Sequence, residues 1–186
     1  PSVATSRAFA GSSDSQGAVI GPYLGLVTAM MASAGYAVTT LDIEAQSHGI
    51  GSESHIQADI RNVDPGAIQG FDAILCCETL EHIHWQKLDS VLQRIATAGA
   101  PWLILSVPYE GFQFAFELYF NLQHWRRRSH FRKFRFLRRF TIQCETEWET
   151  HKWEIGYRGY SLKAFERKIE AAGFHITRRE FTSGCR

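Results

Sequence analysis

Apolar and polar positions follow two periods along most of this chain. Short apolar or β-branched runs predict five strands, over residues 18–20, 36–41, 55–58, 73–77 and 102–107. Between them, residues 23–34 and 85–98 carry apolar side chains three or four positions apart, which predicts amphipathic helices. Strands that alternate with helices in this way are typical of βαβ units. The pattern therefore predicts an α/β fold with a doubly wound, mostly parallel sheet.

The regular pattern breaks at residues 111–150, which are rich in phenylalanine and arginine. We expect this segment to be a helical basic and aromatic insertion after the fifth strand. The pattern resumes at Ser161, whose hydroxyl is a suitable N-cap for a helix that ends at Gly173, and residues 174–182 predict a final strand. We expect residues 1–186 to form one domain that carries this insertion.

Composition narrows the class of protein further. With 186 residues, of which 45% are hydrophobic and 21% charged, the chain can form a packed core. No apolar stretch is long enough for a membrane span, and the predicted location is the cytoplasm. The four cysteines lack the C-x-x-C spacing of zinc sites, so we expect no metal.

Charge is distributed unevenly along the chain. Residues 1–90 contain three Lys/Arg against ten Asp/Glu, a balance of −7, whereas residues 91–186 contain seventeen against nine, a balance of +8. A basic half suits an anionic partner. The candidates are an anionic membrane surface, which would make the protein peripheral to a membrane, and nucleic acid; a solvated lid over a cleft is the structural alternative. The basic residues concerned are Arg126, Arg127, Arg128, Arg132, Lys133, Arg135, Arg138 and Arg139.

Acidic residues follow two neighbouring predicted strands. Asp42 comes at the end of the second strand, where a carboxylate can accept both hydroxyls of a ribose. Asp59 follows the next strand and could accept an adenine amine. Gly21 and Gly25 would let the backbone approach a ligand at the first strand-to-helix turn. Together these residues predict a ligand that contains adenosine, and because the turn departs from G-x-G-x-x-G, a dinucleotide is disfavoured.

Several segments then resemble the class I S-adenosylmethionine-dependent methyltransferases. The most specific is 71–83, a hydrophobic strand that runs into Leu80-Glu81-His82. Residues 19–25 look like a variant of the family's glycine-rich first motif. The resemblance implies S-adenosylmethionine as cofactor. It also implies cofactor contacts at Gly21, Pro22, Tyr23, Gly25, Asp42, Ile43, Asp59, Ile60, Cys77, Glu78 and Leu80.

The predicted function is methyl transfer to an unidentified acceptor. Two histidines, His82 and His151, are the candidate catalytic residues, because imidazole titrates near neutral pH and both are expected at the cleft. The acceptor expected is a small molecule or an anionic glycan or lipid-linked substrate. Two alternatives stay open: an RNA methyltransferase, and a non-catalytic binding module, since Val19 and Tyr23 depart from the family's usual first motif.

Overall fold

A five-stranded parallel sheet organises the computed structural model, which describes residues 14–45, 52–109 and 151–181 and the backbone of 114–117 and 131–134. The strand order is β3-β2-β1-β4-β5, so the direction of winding reverses between β1 and β4. These strands are β1 (Gln16–Ile20), β2 (Ala37–Asp42), β3 (Ser52–Gln57), β4 (Ala73–Cys77) and β5 (Trp102–Ser106). The predicted α/β class with a doubly wound sheet is confirmed, and ligands of such sheets bind at the carboxyl edge near this reversal.

The core lies on both faces of the sheet because successive strand side chains point to opposite sides. On one face, Ile20, Leu41 and Ile74 pack with two helices, α2 (Leu88–Thr97) and α3 (Leu162–Ala171). On the other face, the smaller set of Val19, Val38, Ala73 and Met31 packs around a single helix, α1 (Leu26–Ser33).

Helix α1 begins three residues later than its apolar spacing predicts. Residues 22–25 form a turn instead, closed by a hydrogen bond from the Gly25 N–H to the Pro22 carbonyl at 2.8 Å. Gly25 caps the helix with a φ of +76°, a conformation that favours glycine. Residues 85–87 likewise form a separate 3₁₀ turn ahead of α2.

The N-cap predicted at Ser161 is confirmed, since its hydroxyl accepts a hydrogen bond from the Ala164 N–H at 3.2 Å. Residues 174–181, however, do not pair with the sheet, so the predicted final strand is wrong over this range. One apolar residue of this segment, Phe181, is 60% exposed and contacts Tyr109 rather than the core.

The insertion predicted to be helical contains two short antiparallel strands, β6 (Phe114–Glu117) and β7 (Phe131–Phe134). Phenylalanine has high strand propensity and alternates with other residues in 114–117, which explains the difference over these eight positions. The rest of 110–150 lies outside the described residues. No helix among those described is both long and apolar enough to cross a membrane.

Candidate active site

The turn after β1 is held against the turn after β4 at the carboxyl edge of the sheet. The Thr79 hydroxyl donates to the carbonyls of Ile20 (3.2 Å) and Cys77 (3.0 Å). Gly21 has a φ of +67°, and a Cβ there would lie 2.4 Å from the Thr79 hydroxyl oxygen. Only glycine therefore fits at Gly21 without moving Thr79.

The remaining residues of this turn face solvent to different degrees. Tyr23, which has a φ of +41°, is 77% exposed, whereas Pro22 and Gly25 are buried. A positive φ at a non-glycine residue is uncommon and is concentrated at ligand sites. The predicted cofactor contacts of this turn thus share one surface loop at the sheet edge.

Asp42 ends β2 at the same edge and is half-buried. Its Oδ1 accepts a hydrogen bond from the Glu44 N–H at 3.1 Å, which orients the carboxylate. Ile43 is 39% exposed beside it, and its carbonyl accepts from the Gln57 amide at 3.3 Å. The position suits the predicted contact to a ribose.

Asp59 follows β3, and its carboxylate is engaged by a neighbour. The Arg61 guanidinium donates to both of its oxygens at 2.6–2.9 Å, and the Arg61 backbone N–H donates to Oδ1 at 2.9 Å. Burial opposes ionisation, but these hydrogen bonds and the charge of Arg61 hold the pKa of Asp59 below its usual value. The Asp59 carboxylate thus caps its own turn. An adenine amine that bonded to it would have to share its oxygens with Arg61.

Three further predicted cofactor residues differ in what they can offer. Ile60 and Leu80 are buried in the core, so only their backbone could meet a ligand. Cys77 is half-buried, and burial raises the pKa of its thiol, which disfavours a nucleophilic thiolate.

Glu78 is exposed and has a φ of +50°. Its N–H donates to the Ser106 carbonyl at 3.0 Å, and its Oε1 accepts from the Ser106 hydroxyl at 2.7 Å. The two bonds join the end of β4 to the end of β5 and hold this strained residue in place.

The two candidate catalytic histidines meet next to a buried acid. The rings of His82 and His151 lie edge to face with 5.0 Å between their centroids. Potential ligand atoms of Glu81, His82 and His151 all lie within 4.8 Å of one another. Glu81 and His82 lie two and three residues after Thr79, whose hydroxyl bonds to the Ile20 carbonyl, so the chain brings this cluster close to the turn around Gly21.

Glu81 is an unusual core residue. Its side chain is fully buried, and neither carboxylate oxygen has a hydrogen-bond partner among the described residues. Burial, with the nearby charges of Glu78 and Glu154, raises the pKa of the Glu81 carboxyl to about 8. A buried carboxyl with no partner costs stability and therefore points to a ligand that binds there.

His151 reaches the cluster because a short segment is attached to the sheet edge. The Lys152 N–H donates to the Glu81 carbonyl at 2.7 Å, and the Ile155 N–H donates to the Pro108 carbonyl at 3.1 Å. Between them, Trp153 is fully buried and donates its indole N–H to the Ile83 carbonyl at 2.8 Å. His151 is thus positioned by core packing.

One carboxylate and two imidazoles are donors that suit a first-row transition metal such as Mn²⁺, Fe²⁺ or Zn²⁺. The cluster could hold such a cation with coordination positions left for an acceptor. We expected no metal because the cysteines lack the spacing of zinc sites. That argument does not apply to carboxylate and imidazole ligands. Glu81 was not among the predicted site residues, although its place directly before His82 was a signal in the sequence.

A family model matches part of the chain. Residues 19–101 match a model described as a methyltransferase domain, in a region that runs from within β1 to the edge of β5 and includes Gly21, Asp42 and the Glu81–His82 pair. The match is consistent with the class I S-adenosylmethionine-dependent methyltransferases that the sequence resembles. No curated protein sequence matches this chain.

Solved structures share its fold at low sequence identity. A small RNA methyltransferase superposes with a TM-score of 0.56 at 16% identity, over 90% of this chain and 20% of that one. The magnesium protoporphyrin IX methyltransferase of Synechocystis PCC 6803, with bound S-adenosylhomocysteine, gives 0.43 at 18% identity, over 52% and 48%. A mycolic acid cyclopropane synthase gives 0.42 at 13% identity, over 57% and 41%. The chain spans about a fifth of the first structure and under half of the other two.

Proposed function

We propose that this chain methylates a ribose hydroxyl of an RNA, using S-adenosylmethionine and a divalent cation held by Glu81, His82 and His151. The observation that carries the proposal is the position of these three side chains, with ligand atoms within 4.8 Å of one another, beside the turn around Gly21. A methyl donor at that turn and an acceptor at the cluster would be neighbours.

The residues present fit the cofactor. Close packing of Gly21 against Thr79 fixes the backbone of the turn after β1, and Asp42 lies at the adjacent strand end, where its carboxylate can accept the ribose hydroxyls. Asp59, Ile43 and the Tyr23 ring line the same edge and remain proposed contacts. When bound, S-adenosylmethionine supplies a methyl group already activated by the sulfonium, so the chain needs chiefly to orient the acceptor and exclude water.

The residues present also fit a cation. Glu81 offers two buried carboxylate oxygens with no hydrogen-bond partner in the part of the chain that the structure describes, and a positive charge there would offset the cost of burying an ionised carboxylate. When bound, a divalent cation supplies charge that stabilises a hydroxyl in its deprotonated form. His82 and His151 hold the cation in this scheme, which replaces the direct acid–base role predicted for them with a ligand role.

Chemistry and charge together favour RNA among the acceptors considered. A hydroxyl acceptor gains most from a cation, and RNA carries a ribose hydroxyl at every nucleotide. The basic half of the chain, with a balance of +8 over residues 91–186, suits a polyanion. A solved structure that shares the fold is a small RNA methyltransferase. The acceptor first expected from the sequence was a small molecule or an anionic glycan or lipid-linked substrate. Such an acceptor would not account together for the cation site, the basic half of the chain and the likeness to an RNA methyltransferase.

The test is a methylation assay on the purified chain with radiolabelled S-adenosylmethionine, Mn²⁺ and a short single-stranded RNA. We expect label in the RNA but not in DNA of the same sequence, and loss of transfer on addition of EDTA. An RNA whose 3′-terminal nucleotide lacks a 2′-hydroxyl separates terminal from internal methylation, and periodate resistance of the product reports a blocked terminal diol. Transfer that persists in EDTA would contradict the metal role, and binding of cofactor without transfer to any acceptor would favour the non-catalytic module.

A matched pair of histidine variants sharpens this test. His151→Ala removes one proposed ligand, whereas His175→Ala removes an exposed histidine that follows α3. We expect His151→Ala to abolish Mn²⁺ binding and transfer while leaving affinity for S-adenosylhomocysteine within about twofold, since the two ligands use different residues. His175→Ala should leave Mn²⁺ binding, methyl transfer and affinity for S-adenosylhomocysteine unchanged.

A further inference from the structure

We infer that Glu154 is a positioning residue that fixes the tautomer of His151 and so directs Nε2 of that ring toward the cation. The inference rests on the proposed metal role of His151. Nothing in the family match includes Glu154, because the matched region ends at residue 101.

The contact is short and well defined. Nδ1 of His151 lies 2.7 Å from Oε1 of Glu154, and the Glu154 side chain is only 17% exposed. The two residues lie in the segment attached to the sheet edge through Lys152, Trp153 and Ile155. Their pairing is therefore imposed by the buried Trp153 between them and by backbone bonds on either side, unlike an exposed pair on a helix surface.

The chemistry of the two groups determines which nitrogen carries the proton. An ionised carboxylate only accepts hydrogen bonds, so the hydrogen must be on Nδ1 of His151. In the neutral ring, Nε2 then keeps its lone pair and becomes the ligand atom. Carboxylate partners of this kind orient metal-binding histidines and raise their basicity, and their loss typically lowers metal affinity 10- to 100-fold.

The charge of Glu154 reaches the rest of the cluster as well. It is one of the two carboxylates, with Glu78, whose charge acts on buried Glu81. A second negative charge close to the three ligands would strengthen the attraction for a divalent cation. The competing explanation is an ordinary local ion pair, which would contribute little to stability and nothing to metal affinity.

The experiment compares three variants of the full chain by calorimetric titration with Mn²⁺. Glu154→Ala should lower Mn²⁺ affinity about 10- to 100-fold. Glu154→Gln should lower it less, because the amide oxygen still accepts from Nδ1 but no longer selects one tautomer. The matched control is Glu166→Gln, which removes the same charge from the ion pair with Arg179 (2.7 Å) and should change nothing. Affinity for S-adenosylhomocysteine should stay within about twofold in all three.

A second measurement does not require the metal. In the metal-free chain, the ¹⁵N shifts of the His151 ring should report the Nδ1–H tautomer in the wild type and a mixture of tautomers in Glu154→Ala. If the wild-type chain does not bind Mn²⁺, the proposed metal role fails and this inference fails with it. If the wild type binds Mn²⁺ and Glu154→Ala binds it equally well, or His151 shows the same tautomer in both, the inference alone is overturned.

Discussion

His82 and His151 meet edge to face with 5.0 Å between their ring centroids, although His82 lies five residues beyond the end of β4 and His151 comes after the long segment beyond β5. The contact brings two distant parts of the chain to one point at the carboxyl edge of the sheet. The buried carboxyl of Glu81 lies at the same point.

Asp42→Ala should weaken S-adenosylhomocysteine binding, because it removes a carboxylate placed to accept the ribose hydroxyls. Hydrogen bonds to a charged group contribute about 1.5–3 kcal/mol, so the dissociation constant should rise roughly 10- to 100-fold. Isothermal titration measures the change. The control is Asp89→Ala, which removes an exposed carboxylate on α2 that is paired with Lys168 of α3. Equal affinities of wild type and Asp42→Ala would remove Asp42 from the cofactor site.

Gly21→Ala should lower both thermal stability and cofactor affinity. Its φ of +67° strains any other residue by roughly 1 kcal/mol, and the added Cβ would lie 2.4 Å from the Thr79 hydroxyl oxygen. Gly99→Ala is the control for φ alone, because Gly99 has a φ of +77° and nothing within 4 Å of a Cβ. We expect the larger loss of melting temperature, and the only loss of affinity, at Gly21. Similar results at both glycines would show that the contact with Thr79 is unimportant.

Glu81→Gln should stabilise the metal-free chain at alkaline pH while abolishing Mn²⁺ binding. Because burial raises the pKa of Glu81 from 4.5 to about 8, the folded chain retains a proton that the unfolded chain has lost between these values. The free energy of unfolding of the wild type should therefore fall as pH rises from 4.5 to 8 and level off above. Glu81→Gln has no carboxyl to ionise, so its free energy of unfolding should not fall in this way. At pH 8.5 it should exceed that of the wild type by an amount on the order of a few kcal/mol, and the difference should vanish near pH 4.5.

Urea unfolding over this pH range, with and without Mn²⁺, measures the effect. Added Mn²⁺ should stabilise only the wild type, since ligands that bind the folded state raise its stability. A wild-type stability that does not vary with pH between 4.5 and 8 would contradict the buried, partnerless state of Glu81.

Replacing Arg126, Arg127 and Arg128 with Gln should weaken RNA binding and leave cofactor affinity within about twofold. If each contacts a phosphate, the slope of log affinity against log salt should become shallower by about 2, given roughly 0.7 per contact for a single strand. Arg158, Lys163 and Arg167, exposed residues outside that segment, provide a control of equal charge when changed to Gln. A parallel assay with anionic vesicles tests the membrane alternative. If the triple variant loses affinity for vesicles but not for RNA, the partner is a membrane surface and not RNA.

Strands β1, β4 and β5 could be predicted from the sequence because each contains a continuous apolar run, whereas β3 is mostly polar and begins at Ser52, three residues before its predicted start. Strand β4 was predicted with its observed bounds, since Ala73–Cys77 is apolar throughout and packs on both faces of the sheet. The start of α1 was missed because its apolar spacing extends into a turn that Gly25 closes through a backbone hydrogen bond. The strand predicted at 174–182 has suitable residues but no neighbour to pair with among those described, a condition that local sequence does not contain.

The site was predictable only in part, for a similar reason. Asp42 and Gly21 follow from the rule that parallel strands share a carboxyl edge. The alignment of His151 with Glu81 depends on the Lys152–Glu81 backbone bond and on the burial of Trp153, contacts between residues far apart in sequence. Periodicity carries no information about such pairs, so both histidines were predicted at the cleft but their shared cluster was not.

The bridge between Tyr109 and Ile155 has a consequence for how this protein can change over evolution. Neighbouring strands lie roughly 5 Å apart, so the chain leaves the sheet at Tyr109 and returns at Ile155 through almost the same point. The 41 positions 110–150 can therefore lengthen, shorten or be exchanged without altering the distance between the two ends, provided that the residues from His151 to Ile155 keep their contacts with the sheet edge. That part of the chain could diversify among descendants, or be transplanted by an engineer, while the turn around Gly21 and the Glu81–His82–His151 cluster are inherited intact.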